Sequence, residues 1–321
     1  MTNILEKPLP SYSHSDKNSH GSGVALDTSV LPRKPLHKRA QSKHFTNKLA
    51  VQLAELRNER EQYYRNAFYC NHILTQVGNK ITGKYCKTRI CNTCNRIRMA
   101  NLIEGYDSVL SRYNDLQFVT LTVPNCPGEE LPATIVKMQR TFTRIVDRLR
   151  KRGIKPSGLR KMEITYNSTK RNYHPHYHLV VSGADVARSI LTEWLISNPT
   201  ASEKAQDVRA VTNDSLKELF KYTAKVVTTI NGKQTIVLKA VDTIIAALHG
   251  RRIIQPFGEI RKEVSEDIEE KFELDAHLYD IPYYELMCWK WRGEDWCNEY
   301  GELLTGYAPS QQIKEIGFDY S

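Results

Sequence analysis

No stretch of this 321-residue chain stays apolar for the roughly 18 residues that a membrane-crossing helix needs, so no transmembrane segment is expected. The first residues hold no apolar core of the kind that marks a secretory leader, and none is expected there either. Cysteine is scarce: there are seven, and four crowd between positions 70 and 94. That grouping fits metal ligation in a reducing compartment better than a disulfide framework. Acidic residues are in deficit, 36 against 46 lysines and arginines, which leaves a net charge of +10. A surplus of that size points to a polyanionic partner, nucleic acid first. Phenylalanine is sparse beside tyrosine, 8 to 17, and tyrosine rings stack on bases while still hydrogen-bonding. One motif is incomplete as well. Gly78-Asn-Lys-Ile-Thr-Gly83-Lys84 runs into Tyr85, where a phosphate-binding loop needs Ser or Thr for magnesium, and no buried strand precedes it. Nucleotide hydrolysis at that site is excluded, and a soluble intracellular protein is expected.

The stretch around which the rest is organised is Tyr173-His174-Pro175-His176-Tyr177-His178-Leu179-Val180-Val181. In a strand, side chains at i and i+2 share a face, so the three histidines point one way. Neutral imidazole is the commonest metal ligand, and same-face neighbours can share one ion; a solvated polar strand face is the competing reading. Pro175 suits the beginning or edge of a strand. Upstream, Leu159 to Tyr166 alternates, with Met162, Ile164 and Tyr166 on one face and Glu163 and Thr165 on the other. If Tyr166 faces Tyr173 across the polar loop 167–172, Glu163 faces His176 and brings a carboxylate to the histidine row. A slip of one residue removes it.

Cys70, Cys86, Cys91 and Cys94 form a Cys-x15-Cys-x4-Cys-x2-Cys pattern. Four thiolates close a tetrahedral zinc shell, with His72 able to replace Cys70. The last three also match a plant-type iron–sulfur spacing, with Cys126 as a fourth ligand. Lys84, Lys87, Arg89, Arg96 and Arg98 crowd the segment and suit a DNA-contacting zinc module better. Near the C-terminus Cys288 and Cys297 read as a metal half-site or, better, as buried thiols among Trp289, Trp291 and Trp296.

Around these motifs the chain divides into a disordered polar and basic tail (1–40), a helix with the Cys-rich module (41–113), a larger domain (114–258) and an acidic, aromatic extension (259–321). Leu49, Leu53 and Leu56 predict a helix over about 45–64, and Met99 to Tyr113 a second. Phe118 to Asn125 reads as a strand, and Ile135, Met138, Phe142, Ile145 and Leu149 as the buried stripe of a helix ended by Gly153. A helix near 186–196 and a strand near 207–211 follow. The next helix sets Leu216, Leu219, Phe220, Thr223, Val226 and Val227 on one face. Glu218, Tyr222 and Lys225 fall on the other, within about 60° of one another. They make either a solvated surface or a nucleophile flanked by charge.

In this order the motifs resemble the replication initiator (Rep) proteins of rolling-circle plasmids, within the superfamily of His-hydrophobic-His (HUH) endonucleases. The resemblance spans roughly residues 68–258. Its motifs are Phe118 to Asn125, Glu163-Ile-Thr-Tyr-Asn167 with His174 to His178, and Glu218-Leu-Phe-Lys-Tyr222-Thr-Ala-Lys225, joined by the cysteines and Gly250-Arg251-Arg252. It implies an α+β fold, an antiparallel sheet with packed helices and a βαββαβα core, preceded by a small zinc-binding module. It also implies Mg2+ or Mn2+ held by His176, His178 and Glu163, and structural zinc on the four cysteines. Tyr222 would be the nucleophile, Glu218 a general base and Lys225 a charge partner. The implied partner is plasmid origin DNA, with host helicase and polymerase, in a prokaryotic cytoplasm. His174 has no assigned role. A conjugative relaxase shares the chemistry, but many carry the tyrosine ahead of the histidines; a single-tyrosine transposase shares the order but is typically shorter and lacks the cysteine module. A zinc-containing, non-catalytic DNA-binding regulator is the reading from another class, and an iron oxygenase is the remaining use of two histidines and a carboxylate.

Overall fold

Strand alternation on either side of the loop 167–172 produces a long antiparallel hairpin, and the layers of the protein stack on its two faces. The computed structural model describes residues 33–78, 80–220, 227–230, 232–263 and 287–320. Helices α1 (Arg33–Ala54) and α2 (Glu61–Tyr69) lead to strands β1 (Ile73–Val77) and β2 (Lys80–Gly83), then to α3 (Asn92–Leu110). The middle of the chain runs β3 (Leu116–Thr122), α4 (Leu131–Lys151), β4 (Gly158–Asn167), β5 (Asn172–Ser182), α5 (Ala184–Ser197), β6 (Asp207–Ala210) and α6 (Asn213–Phe220). That is the β-α-β-β-α-β-α order the sequence predicts. Strands β7 (Val227–Ile230) and β8 (Lys233–Val237), helix α7 (Leu238–Leu248) and strand β9 (Ile254–Phe257) follow, and β10 (Met287–Trp291), β11 (Trp296–Cys297) and β12 (Gly317–Asp319) come last. Among the described residues no helix is long and apolar enough to cross a membrane.

The architecture is α+β. Five strands form an antiparallel sheet in the order β6-β3-β5-β4-β9, which puts the histidine strand at its centre. Pro175 fits there because β3 pairs with β5 only as far as His176, so the missing N–H falls beyond that ladder. One sheet face carries Val119, Leu121, Met162, Ile164, Tyr177 and Leu179 and packs on α4, α5 and α7. Helix α4 buries Ile135, Met138, Phe142, Ile145 and Leu149 as expected, and its last turn is rich in basic residues that suit the helix dipole. The other face packs Phe118, Leu159 and Val180 against Tyr106 of α3 and Leu219 and Phe220 of α6. What remains uncovered on that face is polar.

Several elements differ from their sequence expectation. Helix α1 begins at Arg33, inside the stretch expected to be a disordered tail, because Leu36 and Ala40 are buried and Ala40 packs in the tryptophan cluster. The expected single helix over 45–64 is two, broken where Arg57 adopts a positive φ of 49°. The incomplete phosphate-loop motif is the β1–β2 hairpin, turning at Gly78. At Gly83 a Cβ would stand 2.7 Å from both Asn71 and Leu74, so that glycine serves close packing. Strands β10 and β11 extend the same hairpin into a four-stranded sheet, order β11-β10-β1-β2, and bury Trp289, Trp291 and Trp296 against Leu74. Cys288 is exposed rather than part of that cluster.

Candidate active site

The register of the central hairpin decides which side chains meet. Tyr166 pairs with Tyr173, Glu163 with His176 and Lys161 with His178. This is the register that brings the carboxylate to the histidines. Lys161, Glu163, His176 and His178 therefore share one sheet face, joined by Thr120 from β3 opposite His178. All four charged or titratable side chains are buried, and buried polar groups require partners. Glu163 Oε2 accepts a hydrogen bond from Lys161 Nζ at 2.8 Å, and the same ammonium donates to the carbonyl oxygen of Glu218 at 2.9 Å. Burial alone would raise the Glu163 carboxyl, but the Lys161 ammonium and its hydrogen bond, with the two imidazoles, outweigh it and hold the group below the usual carboxylate range.

Both imidazoles are oriented through Nδ1. His176 Nδ1 lies 3.1 Å from the carbonyl oxygen of His174, and His178 Nδ1 lies 3.3 Å from Thr120 Oγ1. The carbonyl can only accept, so the His176 proton sits on Nδ1 and the Nε2 lone pair faces the carboxylate. His176 Nε2 is 4.0 Å from Glu163 Oε1, and His178 Nε2 is 3.8 Å from Glu163 Oε2. These gaps are too long for hydrogen bonds, yet one ion with ligand bonds of about 2.1 Å spans them. The three ligand atoms lie within 4.8 Å of one another. His174 takes no part in that group; its Nδ1 meets Asn125 Oδ1 at 2.8 Å.

Helix α6 borders the site. Its apolar residues Leu219 and Phe220 are buried beneath the sheet, which turns Glu218 toward His178, with 4.0 Å between Glu218 Oε1 and His178 Nε2. Tyr222 and Lys225 lie outside the described residues. Lys161 is the site residue that sequence reasoning missed. The available signal was its position two residues before Glu163 in an alternating strand, which places it on the same face.

The four cysteines form a second cluster, with sulfurs also within 4.8 Å of one another. Cys70 follows α2, Cys86 lies in the loop after β2, and Cys91 and Cys94 begin α3. Cys70 Sγ and Cys86 Sγ stand 3.6 and 3.7 Å from Cys94 Sγ. Backbone N–H groups of Cys86, Thr88 and Cys94 donate to the sulfurs of Cys70, Cys86 and Cys91 at 3.4, 3.4 and 3.5 Å. Neither His72 nor Cys126 joins the cluster; Cys126 bridges Tyr173 through backbone hydrogen bonds and is buried in the core beneath the large sheet. The arginines of this segment are largely engaged internally. Arg89 donates to the carbonyl oxygens of Leu248 and Arg251, and Arg96 to that of Lys38 at 2.8 Å.

With this geometry in view, a family model described as a replication protein matches residues 79–193. The chain is 29% identical to a "Protein rep" of Staphylococcus aureus, over 49% of this chain and 79% of that protein. It is 32% identical to a "Protein rep" of Streptococcus pneumoniae over 30% of this chain and 32% of the relative, and 26% identical to one of Lentilactobacillus hilgardii over 61% and 70%. No solved structure matches the chain. The matched segment contains both Glu163 and the histidine row, and the comparisons bear out the resemblance carried by the motifs.

Proposed function

Starting from this likeness to replication proteins, we propose that the chain starts rolling-circle plasmid replication by nicking one strand at the double-strand origin and rejoins that strand at termination. The observation that carries the reading is the convergence of Glu163, His176 and His178 on one buried sheet face, beside the helix that precedes Tyr222 in sequence. Two oriented imidazoles and an ionised carboxylate suit one divalent ion, magnesium or manganese. Such an ion supplies Lewis-acid polarisation of the scissile phosphate. The phenolic oxygen of Tyr222 attacks phosphorus: the new O–P bond forms, the bond from phosphorus to the 3′ oxygen breaks, and the phenolic proton is lost. The departing oxygen takes up a proton as the 3′-hydroxyl that primes synthesis. Lys225 offsets charge on the phenolate or the phosphate. Because the 5′-phosphotyrosine retains the energy of the phosphodiester, rejoining needs no nucleotide cofactor. Mixing the protein with Mg2+ or Mn2+ and labelled single-stranded origin DNA is expected to give a denaturant-resistant adduct. A non-catalytic regulator gives none.

Glu218 extends this scheme. A round ends with a second cleavage while Tyr222 still carries DNA, and a carboxylate at the edge of the site suits the role of general base on water for that cut. Its side chain is 41% exposed, which admits water, and it stands beside His178. Glu218→Ala is expected to nick and form the adduct at near wild-type rate yet accumulate products longer than one plasmid unit. Normal termination by this variant would reduce Glu218 to a surface ion pair worth a few tenths of a kcal/mol.

In the same reading residues 41–113 hold structural zinc, residues 114–258 form the nuclease domain, and strands from the 259–321 extension complete the sheet beside the cysteines. Sulfurs 3.6–3.7 Å apart favour a single ion, since two thiolates on one tetrahedral zinc at about 2.3 Å stand about 3.8 Å from each other. The N–H donors to sulfur favour thiolates in this loop. Elemental analysis is expected to find about one zinc per chain. Cys91→Ser should lose that zinc and lower thermal stability and DNA binding. Serine still caps α3 at this position, so the loss reports the metal rather than the helix start. Iron with visible absorbance, or metal-free protein of full stability, would overturn the zinc assignment.

A further inference from the structure

The sheet face turned away from the histidines carries a cavity of about 660 Å³ lined by five arginines. Arg140 and Arg144 stand one turn apart on α4, Arg160 projects from β4, and Arg251 and Arg252 come from the loop between α7 and β9. The rest of the lining is two glutamines, a threonine and a glycine, with no carboxylate. An adjoining hollow of about 500 Å³ adds Asp147, which faces Arg150 at 3.8 Å.

The guanidinium groups deepest in the cavity are held by neutral partners. Arg160 is 9% exposed, lies over the rings of Phe142 and Tyr177 at 4.7 and 4.8 Å, and donates to Gln255 Oε1. Arg251 donates through Nε to the carbonyl oxygen of Ala247 at 2.9 Å and through Nη1 to Gln139 Oε1 at 3.3 Å. The loop that presents Arg251 and Arg252 is itself clamped, because Arg89 from the cysteine segment donates to the carbonyl oxygens of Leu248 and Arg251. Arg140, Arg144 and Arg252 are exposed at the rim, and among the described residues none of the three forms an ion pair. Gathering like charges in a concave wall costs free energy that a bound anion recovers, and such a wall focuses its field on the opening. Planar guanidinium forks match phosphate oxygens in pairs.

We propose that this cavity binds backbone phosphates of origin DNA, as a second DNA contact on the opposite face of the sheet from the metal-ligating residues. The proposal rests on the initiator reading for the source of the phosphates; the chemistry alone would also take a free phosphorylated ligand. Backbone recognition explains why the donors are arginines held by neutral partners, and why the cysteine segment anchors their loop.

The test uses the full chain carrying Arg252→Gln or the pair Arg140→Gln and Arg144→Gln, side chains with no internal role to lose. Fluorescence anisotropy with labelled origin duplex is measured across a salt series. Each variant is expected to bind about tenfold more weakly at low salt. The slope of log K against log salt should fall by about 0.9 for each phosphate contact removed. Cleavage of a saturating short single strand bearing the nick site should keep its wild-type rate. Wild-type affinity and salt slope in both variants would overturn the proposal. So would binding of inorganic pyrophosphate that the variants lose while their DNA affinity is unchanged. If the wild type cleaves nothing but the salt slopes still shift, the nicking reading fails and this site stands.

Discussion

His176→Ala and His178→Ala are each expected to lower nicking by about a thousandfold while origin binding stays within a few fold of wild type. Lewis-acid stabilisation at phosphorus is worth several kcal/mol, and each 1.36 kcal/mol is a factor of ten in rate. Neither change should unfold the sheet, because Glu163 keeps the Lys161 ammonium at 2.8 Å when an imidazole is removed. The carboxylate is thus never left buried without a partner, which is the usual source of large losses. His174→Ala is the internal control: its ring is stacked on that of His176, centroids 5.1 Å apart, but it stands outside the ligand group. It should retain most activity. Nicking assays at matched metal concentration, with thermal denaturation of each variant, check the set, and undiminished cleavage by both His176→Ala and His178→Ala would sink the metal assignment.

The convergence of Glu163, His176 and His178 in the candidate site was legible in the sequence because a strand repeats every two residues. Once Tyr166 is set opposite Tyr173, every later pair on the hairpin is fixed, and Glu163 must meet His176. The tyrosine rings themselves pack with centroids 5.1 Å apart, which helps hold that register. The cysteines were legible for a similar reason, since their spacing brings a loop and a helix start to one point. Lys161 was passed over because a lone lysine in a strand ordinarily marks a solvated face. Here it is buried and ties β4 to the backbone of α6, a contact between residues 57 apart that no local pattern announces.

Non-local pairing hid the rest. Strand β10 joins β1, with Trp289 donating to Gln76 across 213 residues, so the C-terminal tryptophans read as an isolated aromatic tail in the sequence. The start of α1 was obscured in the same way: its polar composition argued for disorder, and the burial of Leu36 and Ala40 depends on distant partners. Tertiary contacts there outweigh a weak local preference. The arginine cavity is assembled from α4, β4 and the loop before β9, and only Gly250-Arg251-Arg252 stood out in the sequence.

Tyr222→Phe is expected to abolish the covalent adduct. Removing the attacking oxygen leaves no group to form the phosphotyrosine, and deleting a nucleophile costs on the order of a millionfold in a covalent hydrolase. Metal binding and DNA affinity should be unchanged, since Glu163, His176 and His178 are untouched. The variant still carries Glu218 beside His178, however, and a water activated there could cut the same bond without an adduct. A slow nick in Tyr222→Phe that leaves a free 5′-phosphate is therefore compatible with the scheme, and adding Glu218→Ala should remove it. Denaturing gels after incubation with end-labelled origin strand separate the outcomes, because the adduct migrates with protein and the hydrolytic product does not. Were Tyr222→Phe to form a denaturant-resistant adduct at the wild-type level, the nucleophile would have to be sought elsewhere among the tyrosines.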